Sequence, residues 1–285
     1  MESVLITGAN GQLGTALRNI LNGISGIEFH FTDVDSLDIC DKVQVEAFVK
    51  AHDIDVIVNC AAYTTVDKAE DETELCMRIN CDAVRNLGEV AASVGSKVIH
   101  ISTDYVFDGC AERPYREDDT TNPTSVYGAS KLAGEQALLS ACADSVIIRT
   151  AWLYSETGNN FVKTMLRLGR ERDSLGVVAD QKGTPTYAGD LAEVIKTIMM
   201  SEKFIPGIYH YTNEGICTWY DFAVKIFELA YINKCIVKPL TTAEYPTRAK
   251  RPAYSVLDKS KIKLTYCINI PEWENSLKLV MQNGK

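Results

Sequence analysis

The chain has 285 residues, 46% of them hydrophobic and 24% charged, with a formal net charge of −9. That composition is ordinary for a globular protein of one large or two joined domains, and the acidity argues against a nucleic-acid polymer or an anionic membrane as partner. The amino terminus lacks a basic segment followed by an apolar run, no stretch reaches transmembrane length, and nine scattered cysteines without a Cys-x-x-Cys pair point to reduced thiols in a cytoplasmic protein. The four histidines, His30, His52, His100 and His210, have no ligand spacing, so no metal site is expected.

In chain order, Val4 to Thr7 reads as a buried strand and Leu13 to Leu21 as a helix. Glu28 to Asp33 is a second strand, followed by a helix around Val43 to Ala51. Asp55 to Cys60 is a third strand, β-branched through Val56-Ile57-Val58 as a strand buried on both faces should be. A long helical stretch covers Glu74 to Val94. Lys97 to Ser102 is a fourth strand, Val126 to Ser140 a helix and Ser145 to Arg149 a fifth strand. This alternation predicts an α/β fold, a Rossmann-type doubly wound parallel sheet with helices on both faces. Beyond residue 150 the rhythm loosens. Asn160 to Arg172 and Gly189 to Met200 read as helices, Gly207 to Thr212 as a strand, and Thr218 to Ala230 as a helix capped by Thr218. A last helix lies near Trp273 to Val280. Residues 1–150 plus about 187–205 are expected to form the nucleotide-binding part. Residues 151–186 and 206–285 are expected to form a smaller C-terminal α/β substrate-binding module, interwoven with it.

Between the first strand and first helix stands Gly8-x-x-Gly11-x-x-Gly14. Gly8 permits a tight turn, Gly11 lets backbone amides approach a diphosphate, and Gly14 lets the helix pack closely on the sheet. With Asn10, Gln12 and Leu13 it forms a phosphate-binding turn whose helix N-terminus supplies aligned N–H dipoles. Asp33 ends the second strand, where an acid accepts hydrogen bonds from an adenosine ribose; Asp35 and Asp38 compete for that role, and Ile39 follows. Ala61, Ala62 and Tyr63 close the third strand, their small residues leaving room for a cofactor over the carboxyl edge of the sheet. An acid at the place of Asp33 favours NAD over NADP; the expected cofactor is NADPH or NADH, with the preference left open. Tyr127 and Lys131, four apart, share one helix face. An ammonium ~4 Å from the phenol at an effective dielectric of ~20 is worth roughly 4 kcal/mol, enough to make the phenol a usable acid near neutral pH.

The glycine turn, Asn59-Cys60-Ala61-Ala62, Ser102-Thr103 and Tyr127-x-x-x-Lys131 occur in that order. Together they resemble the extended short-chain dehydrogenase/reductase family over the whole chain. The strings Ser102-Thr103-Asp104-Tyr105-Val106-Phe107-Asp108-Gly109, Asp180-Gln181-Lys182-Gly183-Thr184-Pro185-Thr186 and Arg251-Pro252-Ala253-Tyr254 narrow the likeness to sugar-nucleotide reductases. Many members have His where Tyr63 stands. The resemblance implies NAD(P)H-dependent reduction of the C4 ketone of a dTDP-linked 4-dehydro-6-deoxysugar to dTDP-L-rhamnose. In that reading Tyr127 donates the proton, Lys131 lowers the phenol pKa and meets the nicotinamide ribose, and Thr103 hydrogen-bonds the reacting oxygen. Asp104, Tyr105 and Trp152 fall to the sugar, and Arg251 is a candidate for the substrate diphosphate, since guanidinium suits bidentate phosphate contacts. The expected partner is thus a nucleotide-sugar substrate, with a homodimer left open. Two other readings stand beside this one: another reductase or epimerase of the same family, and a nonenzymatic regulatory subunit resembling that of methionine adenosyltransferase.

Overall fold

The structure, a computed structural model, describes residues 1–283. The first half runs β1 (Ser3–Thr7), α1 (Gln12–Leu21), β2 (Glu28–Phe31), α2 (Lys42–Ala51), β3 (Val56–Asn59), α3 (Val66–Ala69), α4 (Thr73–Met77), α5 (Ala83–Val94), β4 (Lys97–Thr103), α6 (Val126–Ala141) and β5 (Ser145–Thr150). Where periodicity predicts one long helix over Glu74 to Val94, α4 and α5 are joined through a π turn, Arg78–Asp82. The second half adds β6 (Leu153–Tyr154), α7 (Phe161–Glu171), β7 (Ser174–Val178), β8 (Lys182–Gly183), β9 (Thr186–Tyr187) and α8 (Ala188–Met200). It continues through β10 (Gly207–His210), β11 (Cys217–Thr218), α9 (Trp219–Leu229), β12 (Ile236–Leu240), α10 (Ser260–Tyr266) and α11 (Trp273–Asn283).

Six parallel strands form the main sheet in the order β2-β1-β3-β4-β5-β10. Successive strand side chains point to opposite faces, and both faces are covered. Val4, Ile6, Val56, Val58, Ile99, Val146 and Ile148 pack against Leu13, Leu17 and Leu21 of α1 and Leu191, Ile195 and Ile198 of α8. Their alternating neighbours Leu5, Ile57, Val98 and Ile147 pack against Val45 and Val49 of α2, Val84 and Leu87 of α5, and Leu138 of α6. Each such side chain contributes about 1.5–3 kcal/mol on burial. The chain leaves β1 for β2 on one side and crosses back to β3 on the other. This reversal opens a crevice at the carboxyl ends of the strands, where ligands of open α/β sheets bind.

A separate apolar cluster lies under α7, α9 and α11, including Val162, Met165, Phe222, Phe227, Trp273 and Leu277. It carries the parallel pair β7–β12, whose sequence signal is weak because Gly176 interrupts the apolar run of one strand and Pro239 stands within the other. A Cβ at Gly176 would lie 2.6 Å from a Leu240 methyl, so any larger residue there needs that side chain to move. Gly207–His210, assigned from sequence to the smaller module, instead pairs with β5 in the main sheet, its Tyr209 buried with the α8 face. Each of the nine cysteines is free of a disulfide. Among the described residues no helix is long and apolar enough to cross a membrane.

Candidate active site

Above the crevice lies one continuous cleft of about 800 Å³. Its wall includes Gly8, Gly11, Gln12, Leu13 and Gly14 from the glycine turn, then Asp33, Asp38 and Ile39, then Ala61 and Ala62. Thr103, Asp104, Tyr105, Tyr127, Lys131 and Trp152 line the same space. Residues spread over most of the chain therefore converge because each follows the carboxyl end of a strand or opens the helix after it.

The glycine turn is built for close approach. Gly8 has φ +64°, and a Cβ on it would sit 2.6 Å from the Ala61 nitrogen. A Cβ on Gly14 would fall 2.4 Å from the Gly8 carbonyl oxygen and 2.5 Å from Ala9 Cα. A Cβ on Gly11, by contrast, would meet only the Gly8 oxygen, at 3.2 Å, so the space it would fill belongs to the cleft. No side chain caps α1 and its first turn holds no acid, which suits the backbone N–H groups there to an anion. One oxygen of Asp33 accepts from the Asn10 N–H and the other from the Val34 N–H, both at 2.9 Å, so the acid also anchors the turn. These features fit a dinucleotide: a phosphate cradle only glycine permits, and an acid at the end of β2.

At the other end, the Thr103 hydroxyl donates to Asp104 Oδ1 at 2.9 Å and accepts from the Tyr105 N–H at 3.2 Å. Asp104 Oδ2 is buried without a hydrogen-bond partner. Burial pushes this carboxyl up to about 6, partly offset by the Thr103 hydroxyl and then by the Ser255 hydroxyl near it. Desolvation pushes the Tyr127 phenol above its ordinary value, and the Thr103 hydroxyl beside it opposes the rise. The Tyr105 ring stands edge-on to Tyr127, centroids 5.6 Å apart. Trp152 has φ +50°, a conformation unusual for a bulky residue. It is held there by stacking on Trp219, centroids 3.6 Å apart, and by Gly183, whose Cβ would collide with the indole at 2.6 Å.

Three expectations change. Lys131 shares a helix face with Tyr127, but its Nζ is bonded elsewhere than to the phenol. Nζ donates to the Ile101 carbonyl at 2.6 Å, and burial brings Lys131 down to about 8. The i, i+4 spacing fixes a face, while a four-carbon stem chooses its own acceptor. Tyr63 lies off the cleft wall: its backbone is bracketed by the Asn80 amide, and its hydroxyl donates to Glu72 at 2.5 Å. Arg251 also lies off the wall, donating to the Tyr105 hydroxyl at 2.9 Å and to Asp67 at 2.6 Å, one side chain behind the cleft. Asn10 takes part through its backbone only. The sequence reading missed Arg78 and Ile79 from the π turn, and Gly158 and Asn159 from the loop after β6. Gln12 Oε1 ties that loop to the glycine turn, accepting from Ser155 at 3.1 Å and Asn160 at 2.9 Å. Nothing in their spacing marks these residues; the π turn brings in the first pair and the loop's placement over α1 the second.

The family described as RmlD substrate binding domain matches residues 1–285. A dTDP-4-dehydrorhamnose reductase of Aggregatibacter actinomycetemcomitans is 46% identical, with 98% of each chain covered. Among solved structures, a dTDP-4-dehydrorhamnose reductase of Clostridium acetobutylicum superposes with a TM-score of 0.95 at 46% identity, covering 99% of each chain. One from Bacillus anthracis, in complex with NADP, gives 0.94 at 42% identity, again over 99% of each chain.

Proposed function

Since the chain belongs to the RmlD substrate-binding domain family, we propose that it is the reductase that converts dTDP-4-dehydro-L-rhamnose to dTDP-L-rhamnose with NADPH or NADH. The observation that carries this reading is a single cleft holding the glycine turn at one end and Thr103, Tyr127 and Lys131 at the other. A bound reduced nicotinamide supplies the hydride for the C4 carbonyl carbon. The protein's own residues do the rest. Gly11 and the N-terminus of α1 take the cofactor diphosphate, and Asp33 takes the adenosine ribose. Tyr127 gives its proton to the C4 oxygen as negative charge develops there. Thr103, oriented by its bond to Asp104, stabilises the same oxygen. Lys131 serves the nicotinamide ribose.

Asp104 Oδ2, buried and unpartnered, is suited to accept from a sugar hydroxyl. Trp152, fixed against Trp219, offers a flat wall to the sugar ring. Tyr105 contributes its ring edge, and Arg251 acts by fixing the Tyr105 hydroxyl. Nine unpaired thiols suit the reducing cytoplasm, where this reaction belongs.

The test is NADPH oxidation followed at 340 nm with dTDP-4-dehydro-L-rhamnose. One cofactor consumed per sugar reduced is expected. Sugar conversion without net cofactor loss would replace the reductase by an epimerase, and no conversion would end the enzymatic reading.

A further inference from the structure

Beneath the cleft a line of buried polar groups runs from β1 to α6. Asn59 Oδ1 accepts from the Thr7 hydroxyl at 2.7 Å and from the Ala61 N–H at 3.1 Å. A backbone N–H can only donate, so the amide's orientation is fixed. Asn59 Nδ2 then faces His100 Nδ1, 3.0 Å away, as donor. The His100 ring is fully buried, and burial holds it neutral, far below its ordinary range. With Nδ1 accepting, its one N–H sits on Nε2, and Nε2 faces Lys131 Nζ at 3.4 Å.

This arrangement discriminates between the two states of Lys131. An ammonium has no lone pair for the Nε2–H, so donor meets donor. A neutral amine accepts from Nε2–H and still donates to the Ile101 carbonyl at 2.6 Å. The other groups near Nζ pull toward charge: Glu135 one turn along α6 first, then, only weakly because burial keeps both thiols protonated, Cys76 on α4 and Cys60 after β3. Glu135 is already engaged, however, accepting from Arg149 at 2.9 and 2.7 Å and from Ser102 at 2.5 Å. Burial outweighs the three.

We propose that His100, its tautomer fixed by Asn59, is a positioning residue that favours the neutral amine of Lys131 in the cofactor-free enzyme, so that cofactor binding is coupled to a pH-dependent uptake of up to one proton at Nζ. In that step the Nζ lone pair leaves the His100 Nε2–H and binds a proton supplied by the buffer. His100 keeps its own proton, and no electrons are transferred. Charge thus arrives beside Tyr127 together with the anionic cofactor. The inference rests on the assignment of Lys131 to the cofactor ribose.

The test is calorimetric titration of NADPH into the full-length protein in two buffers of different ionisation heat. At pH 8 the heats should differ by about half a proton per cofactor, and at pH 7 by about a tenth. Equal heats in both buffers at both pH values, with binding intact, would overturn the coupling. Absence of any binding would instead count against the proposed function, and the coupling would fall with it. Lys131→Met should abolish the uptake; persistence would move the proton elsewhere and overturn the assignment. His100→Gln can turn a carbonyl toward Nζ and keep Lys131 charged, so uptake at pH 8 should fall several-fold while binding persists. Unchanged uptake in that variant would remove His100 from the role. Should His100→Gln fail to fold, Asn59→Asp provides the same reversal. A carboxylate there draws the ring proton to Nδ1, makes Nε2 an acceptor for an ammonium, and should likewise suppress uptake; undiminished uptake would sink the tautomer argument.

Discussion

The phenol of Tyr127 works among three neighbours that its own helix does not supply: the Thr103 hydroxyl, the Tyr105 ring and the buried Asp104 carboxylate. Replacing Tyr127 by Phe keeps the ring contact and removes only the proton. The turnover number should fall about 10²–10⁴-fold with cofactor affinity changed by less than about twofold. Stopped-flow oxidation of NADPH and a fluorescence titration of the cofactor would check the two parts, and near-normal turnover would remove Tyr127 as the acid. The pairing of Tyr127 with Lys131 was legible in sequence as a shared helix face, and so was Thr103 at the end of a strand. The hydrogen-bond partners were not. Lys131 found the Ile101 carbonyl, Tyr63 found Glu72 and Arg251 found Tyr105. Each choice depends on which acceptor lies within reach in three dimensions.

Among the elements, the turn from β1 into α1 was the most legible, because steric demands act locally there. In Gly14→Ala the added methyl would meet backbone atoms at 2.4 and 2.5 Å, which cannot rotate aside. The expected cost is about 1–3 kcal/mol, together with weaker cofactor binding as α1 shifts. A lower urea midpoint and a raised Kd for NADPH would bear this out; unchanged values would mean that the helix gives way freely. The junction of β4, α6 and β5 is held differently. Arg149 and Glu135 are 2% and 1% exposed and bonded in parallel, with Ser102 completing the carboxylate's partners. Arg149→Met leaves Glu135 as an uncompensated buried charge and should destabilise by about 3–5 kcal/mol. The double change Arg149→Met, Glu135→Leu should recover much of that loss. Denaturant melts of both variants would tell, and equal damage in the two would mean that the pair's shape matters more than its charge. This junction sits directly under Thr103 and Lys131, so its rigidity sets their spacing.

Across the whole molecule, buried neutral histidines link stability to pH. His210 Nδ1 donates to the Tyr115 carbonyl at 3.1 Å, while Nε2 accepts from Arg149 at 3.5 Å, tying β10 and β5 to the loop before α6. Burial and then the Arg149 charge bring His210 down to about 3. The unfolded chain protonates this histidine near 6.5, the folded protein only near 3. The stability it contributes is therefore present above pH 6.5 and is lost as pH falls through the window between those values. His210→Gln keeps a donor and an acceptor but does not titrate. The margin of the native protein over that variant should shrink by about 2 kcal/mol between pH 7 and pH 5, as read from denaturant curves. A margin independent of pH would mean that His210 titrates in the fold as it does in the unfolded chain.

The order of strands and helices through residue 150, the glycine turn, and the placing of Thr103, Tyr127 and Trp152 at strand or helix ends follow from periodicity and local sterics, which a sequence carries in neighbouring residues. The tertiary structure decided what depends on distant segments meeting. It added β10 to the main sheet, paired β7 with β12, laid the Gly158 loop over α1, and brought Asn59, His100 and Lys131 into one buried line. None of these contacts has a spacing rule. Each arises because a closed core leaves a polar group only the partners that packing sets beside it.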